Sequence, residues 1–225
     1  KTGLPKSQFG KTDYNFIWDK SDYDGADWAG RKENQPFFAQ IQLHGGKNRK
    51  AKHGTDPSKV TLPPYYPDHS VLRNDWASYL NSWVQTDIEV DAILKRLNDE
   101  GIADSTVVFF WTDHGVSHAR GKQFLYEEGI RVPLIVRNPV RKQAGTVRTD
   151  LVTQIDIAAS SLALAGIDIP KHIQGTDLFA SDYHSREMVF SARDRCDESV
   201  DILRCVRTSR YKYIQIGRAS WRERV

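Results

Sequence analysis

The chain has 225 residues, 39% apolar and 27% charged, enough to bury a substantial core as one large domain or one and a half. Basic side chains number 32 against 29 acidic ones, a net charge of +3, too mild for a nucleic-acid footprint, so no nucleic-acid partner is expected. No apolar run approaches a membrane span, and no secretory h-region is present. Lys1 is not a start methionine, and the chain reads as truncated ahead of it. Cys196 and Cys205 leave open a disulfide or two free thiols.

Residues 1–35 are polar, with Phe9, Tyr14, Phe16, Trp18, Tyr23 and Trp28 interleaved at no fixed period. They read as a long surface excursion whose aromatics either pin it to its own domain or contact a substrate. Residues 36–43, PFFAQIQL, read as a buried strand ending at His44-Gly45-Gly46, an imidazole at a strand's carboxyl end. The stretch 47–74 opens basic, with Lys47, Arg49, Lys50, Lys52 and His53, and turns proline-rich. A solvated charge run and an attractor for a polyanion both fit it.

Residues 75–100 carry the clearest helical stripe, through Trp76, Tyr79, Leu80, Trp83, Val84, Val90, Leu94 and Leu97. Asn74 is expected to cap its start and Gly101 to end it, while Asp87 and Asp91 fall on or beside the buried face. Residues 106–111 are β-branched and aromatic without alternation, as for a strand buried on both faces of a parallel sheet. That run stops at Thr112-Asp113-His114-Gly115, where open α/β sheets place ligands. Asp113 and His114 suit a divalent cation, and His118, Arg120 and Lys122 form a cationic cluster suited to an oxyanion. For the Asp-His pair alone, a turn-capping aspartate beside a surface lysine is the bland alternative.

A second strand reads at 132–136, a glycine-terminated helix at 151–165, and short strands at 186–192 and 203–215. The last ten residues, IGRASWRERV, continue neither period. They resemble the conceptual translation of a sequencing adapter and are set aside as a non-native tail.

The ordered string TDHG, GK and LYEEGIRVPLIVRNP, with Glu127, Gly129, Arg131 and Pro133, resembles the metal-and-lysine segment of the sulfatase family in the alkaline phosphatase superfamily. The match extends over nearly all of residues 30–215 and leans toward the sulfamidase and heparan-sulfatase-like subgroup. The resemblance implies an α/β, alkaline-phosphatase-like fold: a mostly parallel sheet flanked by helices, followed by part of a small C-terminal antiparallel sheet. It implies a catalytic-domain portion at 1–180, part of the small subdomain at 181–215, and the tail at 216–225.

It further implies hydrolysis of a sulfate ester or sulfamate on a sulfated small molecule or glycan, in a periplasmic, extracellular or lysosomal setting. Asp113 and His114 would be ligands of one divalent metal, Ca2+. His44 and Lys122 would be catalytic and sulfate-binding, Arg120 substrate-binding, and His118 a proton donor to the leaving group or an exposed loop histidine. Many relatives carry Asn where this chain has His114, and calcium prefers oxygen.

The nucleophile motif of the family, Cys or Ser followed by x-Pro-x-Arg and oxidised to formylglycine, is absent; Cys196 and Cys205 do not fit it. The formylglycine is expected upstream, and the 225 residues alone are expected to be inactive. Three other readings stay open. They are a phosphodiesterase or phosphonate hydrolase of the same superfamily, a non-catalytic polyanion-binding module, and an inactive homologue.

Overall fold

The computed structural model describes residues 17, 19–139, 144–196 and 199–219. They fall into two compact units that divide after Glu100.

The first unit is built on α1, Ser70–Asp99. It starts earlier than its apolar stripe because His69, not Asn74, is the cap: His69 Nδ1 accepts from the Val71 N–H at 3.2 Å. Asn74 lies inside the helix and donates to the Ser70 carbonyl. Glu100 is the C-cap, and Gly101 follows with φ +68°. The buried ridge is Ala77, Ser82, Thr86, Ile93 and Leu97. Val84, Asp87 and Asp91 are exposed, which corrects their placement on or beside the buried face. The small residues mark where other segments lie close to the helix.

Residues 36–43 form no paired strand among the described residues. They are extended with strict alternation: Phe37, Ala39, Ile41 and Leu43 are half-buried, whereas Phe38 is 74% exposed. One face is covered and the other open, which corrects the buried strand expected there. The excursion before it is pinned at Trp28, which is buried, stacks on Phe37 and donates Nε1–H to Glu100 at 2.7 Å. Arg96 covers the Trp28 ring at 4.0 Å and bridges Asp27 and Glu100. For Trp28 the pinning role holds; Phe9, Tyr14, Phe16 and Trp18 lie outside the described residues. The proline-rich loop folds about Arg73, whose guanidinium donates to the Pro57, Ser58 and Val60 carbonyls and pairs with Asp68.

In the second unit, β1 (Val108–Trp111) pairs antiparallel with β2 (Leu134–Arg137), from Val108 opposite Arg137 to Trp111 opposite Leu134. Trp111 and Ile135 are exposed, so this pair is not the doubly buried parallel sheet expected of its composition. Between the two strands stands a helical turn, α2 (Glu127–Ile130).

Helix α3 (Ile155–Leu164) begins later than its apolar pattern because Asp156 turns the chain ahead of it, accepting from the Thr153 N–H at 2.8 Å. Asp156 is fully buried and also takes the Thr176 N–H and a two-pronged Arg186 guanidinium at 2.6 Å. Ser160 Oγ accepts from the buried Leu178 N–H, so a strap at 175–178 is sewn to the helix.

The C-terminal strands β3 (Met188–Cys196), β4 (Ser199–Thr208) and β5 (Lys212–Ala219) form an antiparallel sheet in that order. The run 203–215, expected as one strand, is split at 209–211 by a turn in which Thr208 Oγ1 accepts from the Tyr211 N–H. Ile216 pairs with Leu203 and Ala219 with Asp201, so strand structure continues into the tail set aside from the fold; residues 220–225 lie outside the described residues. Leu203, Cys205 and Ile214 pack against Leu125 and against Ile130 of α2.

Cys205 faces Ser191 across β3–β4, while Cys196 faces Ser199. Six residues of strand separate positions 199 and 205, about 20 Å, far beyond a disulfide's reach. Cys205 is buried, and burial pushes its thiol above the ordinary range.

Candidate active site

Asp113 and His114 sit just past β1, held by the loop that runs to α2. The Gly115 N–H donates to the Gly129 carbonyl at 3.0 Å, and the Lys122 N–H to the Val116 carbonyl at 2.7 Å. A Cβ on Gly115 would lie 1.7 Å from the Glu128 carbonyl oxygen, so only glycine allows this contact. Gly115→Ala is expected to destabilise the second unit by about 2–3 kcal/mol, read as a loss of melting temperature. Gln154, just before α3, donates to the Thr112 and Asp113 carbonyls at 2.7 and 3.1 Å. Its role had no sequence signal because it lies about forty residues downstream.

The geometry of His114 decides its chemistry. Its Nδ1 stands 2.7 Å from the Gly115 carbonyl. A carbonyl can only accept, so Nδ1 carries a proton, and in the neutral ring it is Nε2 that keeps the lone pair. Nε2 is shielded from solvent without a hydrogen-bond partner and lies 3.6 Å from an Asp113 carboxylate oxygen. A ring fixed by a backbone acceptor, with an orphaned nitrogen beside a carboxylate, is the tautomer a metal-binding histidine needs. The Asp113 side chain is 80% exposed and able to turn onto a shared cation. These residues fit a divalent ion as two ligands. Among the described residues no cluster of three or more His, Cys, Asp or Glu stands ready for a metal.

A cleft of about 470 Å³ opens beside the pair, with Phe124 and Ile130 on one wall and Arg193 and Arg195 of β3 on another. Arg193 lies over the Phe124 ring, donates to the Gln123 carbonyl and pairs with Asp201. Neither Lys122 nor His118 lines this cleft, although both share the loop. Both ring nitrogens of His118 are shielded from solvent, which corrects the reading of it as an exposed loop histidine. Arg120 is exposed and covers the Tyr126 ring at 4.2 Å.

Glu127 has a structural role that its place in the motif does not reveal. It pairs with Lys212 at 2.5 Å and Arg207 at 3.2 Å, tying α2 to the C-terminal sheet. Burial pushes its carboxyl up, and the two cations outweigh that and hold it below the ordinary value.

His44 belongs to the first unit. It precedes the 3-10 turn Gly45–Lys47 packed on α1, and its Nδ1 faces Glu89 at 3.8 Å. Of the basic run, Arg49 is bound to the helix through Asp75 and the Tyr79 ring, while Lys47, Lys50 and Lys52 are exposed. No described helix is long and apolar enough to cross a membrane.

Comparison with known proteins supplies the family. The sulfatase family model matches residues 4–167, and the model described as N-sulphoglucosamine sulphohydrolase, C-terminal, matches 114–221. An ulvan-active sulfatase of Formosa agariphila is 28% identical over 91% of this chain and 42% of its own length. The yidJ protein of Bacteroides fragilis, described as a sulfatase, superposes with a TM-score of 0.61 at 21% identity, over 76% of this chain and 40% of its own. A phosphonate monoester hydrolase from Silicibacter pomeroyi gives 0.55 at 20% identity, over 77% and 41%. This chain thus spans about two fifths of each of these proteins. The fold is of the alkaline-phosphatase-like α/β class, and the chain belongs to the sulfatase family.

Proposed function

We propose that this chain carries part of the site of a sulfuric ester or sulfamate hydrolase that acts on a sulfated glycan or a similar sulfate ester. The observation that carries the reading is the His114 tautomer: Nδ1 held on the Gly115 carbonyl, and Nε2 orphaned beside Asp113. Asp113 and His114 would hold one divalent cation, calcium, which when bound supplies Lewis-acid polarisation of sulfate oxygens. Lys122 and His44 would neutralise charge on the sulfuryl group, Arg120 would contact the substrate, and His118 would protonate the leaving oxygen.

The nucleophile, a formylglycine, would come from outside these 225 residues, since no Cys- or Ser-x-Pro-x-Arg occurs in them. Cys205 is unsuited to the task, being buried in the C-terminal sheet. The 225-residue chain by itself is therefore expected to be inactive. An exported or lysosomal setting fits the reading.

One observation favours a second reading. A nitrogen ligand at His114 suits zinc or manganese better than calcium, and phosphodiester or phosphonate hydrolysis would fit such an ion. The test offers the full-length protein an aryl sulfate, glucosamine N-sulfate, an aryl phosphodiester and an aryl phosphonate monoester side by side. The sulfatase reading expects kcat/KM on the sulfated substrates to exceed the others by at least about tenfold, about 1.4 kcal/mol of transition-state discrimination. The reverse order replaces it with the second.

A further inference from the structure

Helix α1 carries a carboxylate, Glu89, beside the His44 imidazole. Glu89 is largely buried, and its Oε2 is shielded from solvent without a hydrogen-bond partner. Its Oε1 lies 3.8 Å from His44 Nδ1, itself shielded and without a hydrogen bond. Burying polar atoms unpaired is unfavourable, and here the unpaired Nδ1 lies next to a carboxylate whose second oxygen, Oε2, is unpaired as well. At 3.8 Å the pair is beyond hydrogen-bond range, and catalytic hydrogen bonds are often long in the absence of substrate.

Further side chains support the pair. Gln85 donates to Glu89 Oε1 at 3.4 Å, and its own Oε1 stands 3.2 Å from His53 Nε2. Gly46 lets the loop seat on the helix: a Cβ there would lie 2.8 Å from the Tyr79 ring. Loop and helix are thus fitted at the point where His44 meets Glu89.

We propose that Glu89 is a positioning residue for His44. Its carboxylate accepts the Nδ1 proton, fixes the ring and leaves Nε2 as the nitrogen offered to substrate. The inference rests on the assignment of His44 to the sulfuryl group, and Glu89 acts through His44.

The test uses full-length protein labelled with 15N-histidine, in wild type, Glu89→Ala, Glu89→Gln and His44→Ala. Long-range proton–nitrogen spectra read the His44 tautomer, and steady-state kinetics on an aryl sulfate read kcat and KM. Glu89→Ala is expected to move His44 from the Nδ1–H to the Nε2–H form. It should lower kcat by about 10–100-fold with KM within about threefold. Glu89→Gln, which keeps an acceptor oxygen and the side-chain shape, is expected to retain the tautomer and most of the rate. An unchanged tautomer in Glu89→Ala overturns the inference. A changed tautomer with full turnover in His44→Ala instead overturns the catalytic assignment of His44 and leaves the contact standing.

Discussion

Asp156→Ala is expected to destabilise the second unit by roughly 3–5 kcal/mol, the usual cost of removing one partner from a buried ion pair. For a chain of this size that corresponds to a fall in melting temperature of about 10 °C. The reason lies in how much converges on one carboxylate with no solvent exposure: the Thr153 and Thr176 N–H groups and both prongs of Arg186. These partners join the start of α3, the strap after it and the segment leading into β3.

The pH dependence follows from the same contacts. Burial pushes the Asp156 carboxyl up, but the Arg186 fork and the two backbone N–H groups outweigh it and hold the group below its ordinary 3.8. A depressed carboxyl contributes stability that is fully present above the unfolded value and is lost as pH falls through the folded one. The stability gap between wild type and Asp156→Ala should therefore be constant above about pH 5 and shrink below about pH 4. Denaturant melts across that range measure it. A gap that grew on acidification would mean the carboxylate is not ionised in the folded protein.

Metal binding gives the second large effect. In the full-length protein, Asp113→Ala and His114→Ala should each weaken divalent-ion binding by at least about 100-fold and remove most of the metal's stabilising effect, about 2.7 kcal/mol at 100 times the dissociation constant. His114→Asn is the more specific variant. It restores an oxygen ligand and should raise the preference for calcium over manganese or zinc. Isothermal titration with each ion reads the order. If His114→Asn leaves the ranking unchanged, Nε2 is not a ligand.

Much of this was legible because it is local. The loop from Asp113 through Gly129 is a string of close backbone contacts that needs glycine at fixed positions, so its chemistry is written in consecutive residues. The alternation at 203–215 announced β structure, whereas its antiparallel pairing was implied by the family resemblance alone. The expectation of parallel, doubly buried strands came from composition alone. The apolar runs at 36–43 and 106–111 announce β structure, but they do not specify partner direction or how many faces are covered. The start of α1 was misplaced because His69 is a less familiar cap than Asn74.

The residues that sequence reasoning missed act across distance. Glu89 meets His44 from 45 positions away, Gln154 clamps the Asp113 carbonyl from 41, and Arg193 reaches the Gln123 carbonyl from 70. Nothing in the local pattern of a Glu on a helix or an Arg on a strand distinguishes such partners from solvated charges.

The central claim is that Asp113 and His114 hold the metal of a sulfate-ester hydrolase. Its most direct test is sulfate release from an aryl sulfate by the full-length protein, before chelation, after chelation, and after Ca2+ is returned. Chelation is expected to abolish release, and Ca2+ to restore it in wild type but not in Asp113→Ala. Release that persists undiminished through chelation, or recovers equally in Asp113→Ala, would contradict the claim.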